Sequence, residues 1–264
     1  MTSDVLLKHY LKTLRLPLFL SEYPQLARQC AEEKASYEDF LLRLAEREVA
    51  ERERNAVKRR IREACFPAEK ELADFDFTVL PNLNKQKILQ LSMGEYIAKR
   101  ENVVFLGPPG VGKTHLGIAL GREACRRGSR VRYFTATGLA TAYREARDQR
   151  EVGRLDAFVK NRDLIIIDEL GYVPLGESGA EHLFGFISNC YERTSVMVTS
   201  NLPFAEWNQI FADERLAGAL IDRLTHRVHI FDIQGDSYRL KTRLRAPVGD
   251  PDGEDDSPDR GEEG

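Results

Sequence analysis

The stretch Val103-Val104-Phe105-Leu106-Gly107-Pro108-Pro109-Gly110-Val111-Gly112-Lys113-Thr114 decides the fold class of this 264-residue chain. A short apolar run leads directly into a loop of the form G-x-x-x-x-G-K-[ST], and a helical pattern follows. The glycines of such a loop let backbone N–H groups curl around a phosphate, and the positive end of the following helix adds to the attraction. The stretch therefore predicts a strand, a phosphate-binding loop and a helix, in that order.

The loop also predicts how a nucleotide is held. Lys113 is expected to reach the β- and γ-phosphates, and the Thr114 hydroxyl is expected to ligate Mg²⁺. The alternative, a chance glycine-rich turn, leaves the preceding strand and the following helix unexplained. The predicted nucleotide-binding residues are Gly107, Pro108, Pro109, Gly110, Val111, Gly112, Lys113, Thr114 and His115.

Two later apolar runs end in polar residues. Leu164–Asp168 leads into Glu169; we expect Asp168 to hold Mg²⁺, largely through water, and Glu169 to activate the attacking water. Ser195–Ser200 leads into Asn201. If the two strands are neighbours, Asn201 lies beside the γ-phosphate and positions that water. The alternative is an asparagine that caps its strand.

Outside these motifs, residues 102–235 alternate five short apolar runs with helical stretches. Parallel strands joined by helices are buried on both faces, so their runs are largely apolar and rich in β-branched residues. We therefore predict an α/β fold with a parallel five-stranded sheet. The runs are Asn102–Leu106, Arg130–Thr135, Leu164–Asp168, Ser195–Ser200 and Arg227–Phe231, and the helical stretches lie near 113–127, 137–160, 179–192 and 213–224.

The whole sequence is predicted to form three parts. They are a small all-α N-terminal domain over 1–66, a nucleotide-binding domain over 67–245 and a disordered acidic tail over 246–264. The N-terminal part contains a capping box at Ser36-Tyr37-Glu38-Asp39. The tail is Gly, Pro, Asp and Glu with almost nothing to bury. Only 14 residues separate Phe231 from the tail, so no C-terminal helical lid is expected.

The net charge of −3 conceals an uneven distribution. Taken alone, it argues against an acidic partner such as DNA. The tail holds eight acidic residues and one arginine, so 38 of the 39 basic and 34 of the 42 acidic residues remain in 1–245, which has a net charge of +4. The tail is therefore a solubility segment or a mimic of DNA that competes for a basic face.

Cysteine spacing and hydropathy indicate the compartment. The four cysteines, at 30, 65, 125 and 190, are far apart in the sequence, which favours unpaired thiols in a reducing compartment over a zinc ribbon or a redox pair. No apolar run approaches the ~20 residues that a membrane span needs, and the N-terminus lacks the core of a signal peptide. We expect a cytoplasmic protein with no membrane partner.

The motifs together resemble a known family. Gly107–Thr114, Asp168-Glu169 and Thr199-Ser200-Asn201 resemble the Walker A, Walker B and sensor 1 motifs of AAA+ ATPases. Longer phrases resemble the IstB-like transposition helper proteins of insertion sequences, which are related to the DnaC and DnaI helicase loaders. The resemblance covers roughly residues 4–243. These phrases are Leu14–Pro17, Phe75–Phe77, Leu170–Leu175, Thr199–Trp207 and Gly235–Lys241.

The resemblance implies a P-loop AAA+ ATPase that uses ATP and Mg²⁺, forms a homo-oligomer on DNA and assists a transposase, with hydrolysis that is slow in isolation and stimulated by DNA. ATP would then lie between subunits. Arg223 matches the arginine finger and Arg239 matches the sensor 2 arginine, with a surface salt bridge as the alternative for each. Phe75 and Phe77, in the connector that leads to the nucleotide-binding strand, are weighed as contacts for adenine, with a place in the core as the alternative, and Phe77 is taken as the candidate.

Two arginine-rich stretches are candidates for contact with duplex DNA. Lys58, Arg59 and Arg60 end the N-terminal helical region; Arg144, Arg147 and Arg154 lie in the predicted helix 137–160 and share roughly one face if that helix runs through Gly153. Contacts of this kind go to phosphates, so binding would tolerate many sequences and weaken with salt. The alternative is two ordinary solvated helix faces, since glutamates are interleaved with the first stretch.

Three functions compete at this point. The first is the transposition helper, the second a DnaC/DnaI-type replicative helicase loader, and the third a nucleotide-gated structural protein with negligible turnover. Residues 4–63 lack the Cys/His cluster of the zinc-bearing loaders, which favours the helper. The Asp168-Glu169 pair argues against the third function.

Overall fold

The computed structural model describes residues 3–173, 176–211 and 214–235. Its strands are β1 (Asn102–Leu106), β2 (Val131–Thr135), β3 (Leu164–Leu170), β4 (Ser195–Ser200) and β5 (Val228–Asp232). They form a parallel sheet in the order β2-β3-β4-β1-β5. The predicted parallel five-stranded sheet is therefore confirmed, and each strand lies within two residues of its predicted bounds.

Helices precede the sheet and connect its strands. None of the described helices is both long and apolar enough to cross a membrane. Short 3₁₀ turns occur at Leu72–Asp74, Phe77–Val79 and Phe204–Gln209. The helices are α1 (Ser3–Thr13), α2 (Pro17–Glu32), α3 (Tyr37–Ala64), α4 (Lys85–Ser92), α5 (Glu95–Ala98), α6 (Lys113–Arg126), α7 (Ala136–Asp148), α8 (Val152–Lys160), α9 (Gly176–Cys190) and α10 (Glu214–Thr225).

The sheet separates two apolar cores, and β1 shows how one strand supplies both. Val103 and Phe105 pack into a cluster that includes residues of α4, α5 and α6. Val104 and Leu106 pack into the opposite cluster, which includes residues of α7, α8, α9 and α10. Because successive side chains of a strand point to opposite faces, a strand covered on both sides needs an unbroken apolar run.

The prediction of a single helix over 137–160 is wrong, because two helices, α7 and α8, occupy this stretch. The chain breaks between α7 and α8, where Arg150 adopts a left-handed φ of 59°. Its N–H bonds to Arg147 O, and the N–H of Glu151 bonds to Ala146 O, which together end α7 in a Schellman arrangement. Gly153, the expected kink, lies inside α8. Arg154 is therefore on a different helix from Arg144 and Arg147.

The N-terminal helices enclose a small core of Leu26, Cys30 and Leu44. Glu48 of α3 is buried beside this core, and its carboxylate accepts from the N–H of Leu18 at 3.1 Å and from Arg52 Nε at 2.8 Å. Leu18 lies in the first turn of α2, so a carboxylate from another helix meets the positive end of α2. The capping box predicted at Ser36-Tyr37-Glu38-Asp39 is present at the start of α3.

Helix α3 links this small core to the sheet. Its 28 residues run without a break from the N-terminal helices to Ala64, which is fully buried in the core beside α6. Near the same end, Arg60 Nε donates to Cys125 O of α6 at 2.8 Å. The division of the chain at residue 66 stays a prediction, since this helix contributes to both cores.

The four cysteines are free. Burial raises the pKa of the Cys125 thiol to about 11 and that of the Cys190 thiol to about 12, so both stay protonated at neutral pH. Cys30 is also buried, whereas Cys65 is exposed where α3 ends. The thiols are therefore placed as packing groups at three of the four positions.

Candidate functional site

The loop between β1 and α6 has the backbone of an anion site. Gly107, Gly110 and Gly112 have φ values of 141°, 85° and 95°, a region that side chains disfavour. A Cβ on Gly107 would lie 2.1 Å from Ile233 O, so this position admits only glycine. Gly112 precedes the first turn of α6, and no described side chain caps that turn. The N–H groups of the turn are therefore left for a ligand.

Lys113 places an ammonium group inside this loop. Its side chain is buried, and Nζ donates to Gly107 O at 2.7 Å and to Pro108 O at 2.8 Å. The loop thus combines helix N–H groups with a fixed positive charge, which suits a phosphate chain.

A cavity of about 460 Å³ opens beside the loop. This volume is in the range of small-molecule sites. One wall is the connector between α3 and α4, a second is the loop with the start of α6, and a third is the carboxyl ends of β3 and β4. The lining residues are Lys70, Asp74, Phe75, Asp76, Val79, Leu80, Pro109, Gly110, Val111, Gly112, Lys113, Thr114, His115, Glu169, Tyr172, Thr199, Ser200 and Asn201.

Asp168 lies behind the cavity and is almost fully buried. Thr114 Oγ1 donates to its Oδ1 at 3.0 Å, the Thr199 hydroxyl donates to the same oxygen, and the Tyr133 hydroxyl donates to Oδ2 at 2.6 Å. Burial, and next the bond to Asp168, raises the pKa of the Tyr133 hydroxyl well above its ordinary value, so Tyr133 remains a donor. The carboxylate is therefore held in one orientation.

Tyr133→Phe is expected to lower the free energy of unfolding by about 1–3 kcal/mol, because Oδ2 of a buried carboxylate loses its donor. Urea denaturation measures the change. Tyr143→Phe is the matched control: Tyr143 is also buried, and its hydroxyl donates to Asp156 Oδ1 at 2.7 Å, but Asp156 is only half-buried. Its loss should therefore be smaller. Equal stability of Tyr133→Phe and the unmodified protein would contradict the assigned bond.

Thr114 and Asp168 form the pair of oxygen ligands predicted for Mg²⁺. Among the residues that the structure describes, no group of three or more His, Cys, Asp or Glu could hold a metal ion. Mg²⁺ commonly uses one or two protein oxygens and takes its other ligands from water and phosphate. One hydroxyl and one carboxylate therefore fit an ion that arrives with a nucleotide.

Glu169 and Asn201 both reach the cavity. Glu169 is exposed there and has a left-handed φ of 61°. β3 and β4 are neighbours, as the prediction for Asn201 required. Asn201 Oδ1 is enclosed and has no hydrogen-bond partner among the described residues. An enclosed acceptor without a partner is costly, so this amide is suited to a polar group that enters the cavity.

The connector forms a wall that the sequence analysis did not predict in full. Phe75 lines the cavity, its ring meets His115 at 5.3 Å between centroids, and Phe77 packs edge-on behind it at 4.8 Å. Phe77 itself is not among the lining residues. Tyr172, from the phrase after Glu169, also lines the cavity. The sequence offered a signal for Phe75 in the Phe75–Phe77 phrase, but no rule for choosing between its two rings.

Glu71 fastens this connector to α6. Its carboxylate bonds to Arg126 and Arg122 at 2.7–2.8 Å, and its carbonyl oxygen lies 2.8 Å from His115 Nε2. The Arg126 guanidinium, followed by that of Arg122, holds the pKa of Glu71 below its ordinary value. The stabilisation is therefore present at neutral pH and is lost only as the pH falls through that lowered pKa.

The remaining candidate residues lie away from the cavity or outside the described residues. Arg223 of α10 is half-buried; it donates to Ala219 O at 3.0 Å and its guanidinium lies 4.8 Å from the centre of the Phe184 ring. Arg239 falls outside the described residues, as does the acidic tail.

The candidate DNA contacts lie on three helices. Lys58 and Arg59 are exposed on α3, whereas Arg60 is half-buried and bonded to α6. Arg144 and Arg147 are exposed on α7. Arg154 is exposed on α8, 3.4 Å from a carboxylate oxygen of Glu151. Lys58, Arg59, Arg144 and Arg147 are thus placed where a phosphate could reach them.

Comparison with known proteins identifies a protein family. The family model of IstB-like ATP-binding proteins matches residues 9–246. The chain belongs to this family. The IstB-like chain is 37% identical over 235 residues to a protein of Geobacillus stearothermophilus described as an ATP-binding protein of insertion sequence IS5376, with 89% of this chain and 93% of that one covered. It is 35% identical over 223 residues to the corresponding IS21 protein of Pseudomonas aeruginosa, covering 84% of each.

Solved structures share the fold of the IstB-like chain. AMPPCP-bound DnaA from Aquifex aeolicus matches with a TM-score of 0.52 and 21% identity, over 68% of this chain and 56% of that one. DnaI matches with a TM-score of 0.50 and 17% identity, over 64% of this chain and 90% of that one. At these identities the likeness concerns the fold alone, and it confirms the AAA+-like P-loop architecture.

Proposed function

We propose that this IstB-like protein is an ATPase that assembles on duplex DNA and assists a transposase during the movement of an insertion sequence. One observation carries the proposal: a phosphate-binding loop, an exposed glutamate and an asparagine whose Oδ1 has no partner among the described residues line one cavity, and a buried aspartate bonds to Thr114 behind it. The relatives described as insertion-sequence ATP-binding proteins support the biological setting. The helicase-loader alternative is supported by the shared fold alone.

Each side chain at the cavity has a chemical task in ATP hydrolysis. The helix N–H groups and Lys113 bind the phosphate oxygens. A carboxylate oxygen of Glu169 accepts a proton from the attacking water, and the Asn201 amide orients that water. Thr114 and Asp168 would hold Mg²⁺, which when bound neutralises charge on the phosphates.

Arg223 supports an oligomer in which the site is completed by a neighbour. It is not among the residues that line the cavity of its own chain. Its guanidinium is held by Phe184 and Ala219 O at the end of α10. In such an oligomer, Arg223 would serve the nucleotide of the next subunit, where its charge would stabilise the transferring phosphoryl group. Hydrolysis by an isolated chain should then be slow.

Exposed cations on α3 and α7 support a contact with DNA. Lys58, Arg59, Arg144 and Arg147 would meet phosphates rather than base edges, so the protein would accept many target sequences and release them as salt rises. Free thiols and a supply of ATP are features of the cytoplasm, where this function takes place.

Sizing by light scattering tests the proposal. With ATP and a duplex several helical turns long, the protein should form an assembly many times the 30.1 kDa mass of one chain, and with either one alone it should be smaller. The same duplex in high salt is the control, because phosphate contacts are lost there. A single chain under every condition would overturn the proposal.

A further inference from the structure

The hydroxyl of Thr199 is shared by the two acidic residues of the site. Thr199 lies near the end of β4 and is 1% exposed. Its Oγ1 donates to Asp168 Oδ1 and accepts from the backbone N–H of Glu169 at 3.1 Å. A hydroxyl has one hydrogen to give and two lone pairs, so it can make both bonds at once. One atom therefore touches both acidic residues.

Strand β3 is irregular opposite Thr199. Ile167 of β3 stands opposite Val198 of β4, and Leu170 stands opposite Ser200. Two residues of β3, Asp168 and Glu169, thus face the single residue Thr199. An extra residue on one strand is a β-bulge, and the left-handed φ of 61° at Glu169 marks the extra residue. The N–H of Glu169 donates to the side-chain hydroxyl of Thr199.

The bulge decides where Glu169 points. Ile165 and Ile167 belong to the core beside α7 to α10, so in a regular strand residue 169 would face that core too. Instead Leu170, which is fully buried, occupies that face. The side chain of Glu169 therefore does not follow the alternation of faces along β3, and it lines the cavity. Without the extra residue, a carboxylate would be directed into apolar side chains.

The methyl group of Thr199 fixes the hydroxyl in this place. Cγ2 packs close to α6, since a Cβ built on Gly117 would lie 3.7 Å from it. A β-branched side chain also has few accessible χ1 rotamers. The hydroxyl is therefore directed at β3 by packing on its other side.

We propose that Thr199 is a positioning residue for ATP hydrolysis: its hydroxyl orients Asp168 and holds the bulge that aims Glu169 into the cavity. The proposal rests on the ATPase function proposed above. Thr199 acts through these two residues and takes no part in proton transfer.

Four variants test this role. Thr199→Ala and Thr199→Ser both lack the methyl group and differ only in the hydroxyl, while Thr199→Val keeps the shape and loses the hydroxyl. Thr194→Val is the matched control: Thr194 is also buried, just before the opposite end of β4, and its Oγ1 donates to Arg162 O at 3.2 Å. The kcat and the KM for ATP are measured for each, with thermal melting to verify folding.

Thr199→Ala and Thr199→Val should lose at least about tenfold in kcat with a smaller rise in the KM for ATP, because positioning of the base is lost while the phosphate loop is intact. Thr199→Ser should keep most of the turnover, and Thr194→Val should match the unmodified protein. A binding assay adds a readout independent of turnover. The gain in affinity for a fluorescent ATP analogue on adding Mg²⁺ should shrink in Thr199→Ala and not in Thr199→Ser.

The outcomes separate this inference from the proposed function. If Glu169→Gln hydrolyses ATP as fast as the unmodified protein, the proposed function fails. If Glu169→Gln stops hydrolysis but Thr199→Ser and Thr199→Ala turn over equally, the positioning role alone is overturned. The Ser/Ala comparison decides the matter even if Thr199→Val does not fold, since both variants lack the methyl group and only the hydroxyl distinguishes them.

Discussion

Lys113→Ala is expected to lower the affinity for ATP by at least about a hundredfold, which corresponds to about 2.7 kcal/mol. The reason is the position of the ammonium group, buried inside the loop with Gly107 O and Pro108 O at 2.7 and 2.8 Å. A charge-assisted contact with phosphate in such a setting is stronger than one at the surface. Equilibrium binding of a fluorescent ATP analogue measures the loss.

Lys70→Ala is the matched control for this variant. Lys70 is a second lysine that lines the cavity, but it is exposed and belongs to the connector rather than the loop. Its removal should change the affinity by less than about threefold, since exposed charges contribute little. Full ATP affinity in Lys113→Ala would show that the loop does not hold the phosphates.

Glu169→Gln is expected to retain ATP binding and to lower turnover by at least about a hundredfold, within the range for a lost general base. The amide has nearly the same shape as the carboxylate but cannot accept the proton of the attacking water. The backbone bond to Thr199 is unaffected, so the bulge should persist. Release of inorganic phosphate and retention of bound ATP are measured on the same sample.

Glu192→Gln serves as the control for Glu169→Gln. Glu192 is another exposed glutamate with a left-handed φ, 57°, and it does not line the cavity. Turnover in this variant should equal that of the unmodified protein. Comparable losses in both variants would mean that the effect arises from replacing a strained glutamate and not from chemistry at the cavity.

Local sequence patterns were sufficient for the strands and the phosphate loop. Five largely apolar runs identify five parallel strands because strands covered on both faces are rich in buried apolar residues. Gly107, Gly110 and Gly112 identify the loop because its backbone requires φ values that other residues resist. Burial of a strand on both faces and positive φ values in a loop each constrain a few consecutive residues. Both can therefore be recognised from a short stretch of sequence.

Features created by contact between distant segments could not be predicted in this way. The bulge at Glu169 depends on register with Thr199, thirty residues away. The Tyr133 bond to Asp168 joins β2 to β3, although Tyr133 looks in sequence like any aromatic strand residue. The end of α7 was missed for a different reason. Its left-handed residue is Arg150, where glycine is the usual signal.

The continuous α3 has a mechanical consequence. At about 1.5 Å per residue, its 28 residues span about 42 Å. One end is anchored beside β2 and α6, and the other carries the small N-terminal core. For a rod of this length, a tilt of about 5° at the anchored end displaces the far end by roughly 4 Å. Small adjustments beside the C-terminal end of α6, where Arg60 bonds to Cys125 O, are therefore magnified into ångström-scale displacements at the N-terminal end of α3.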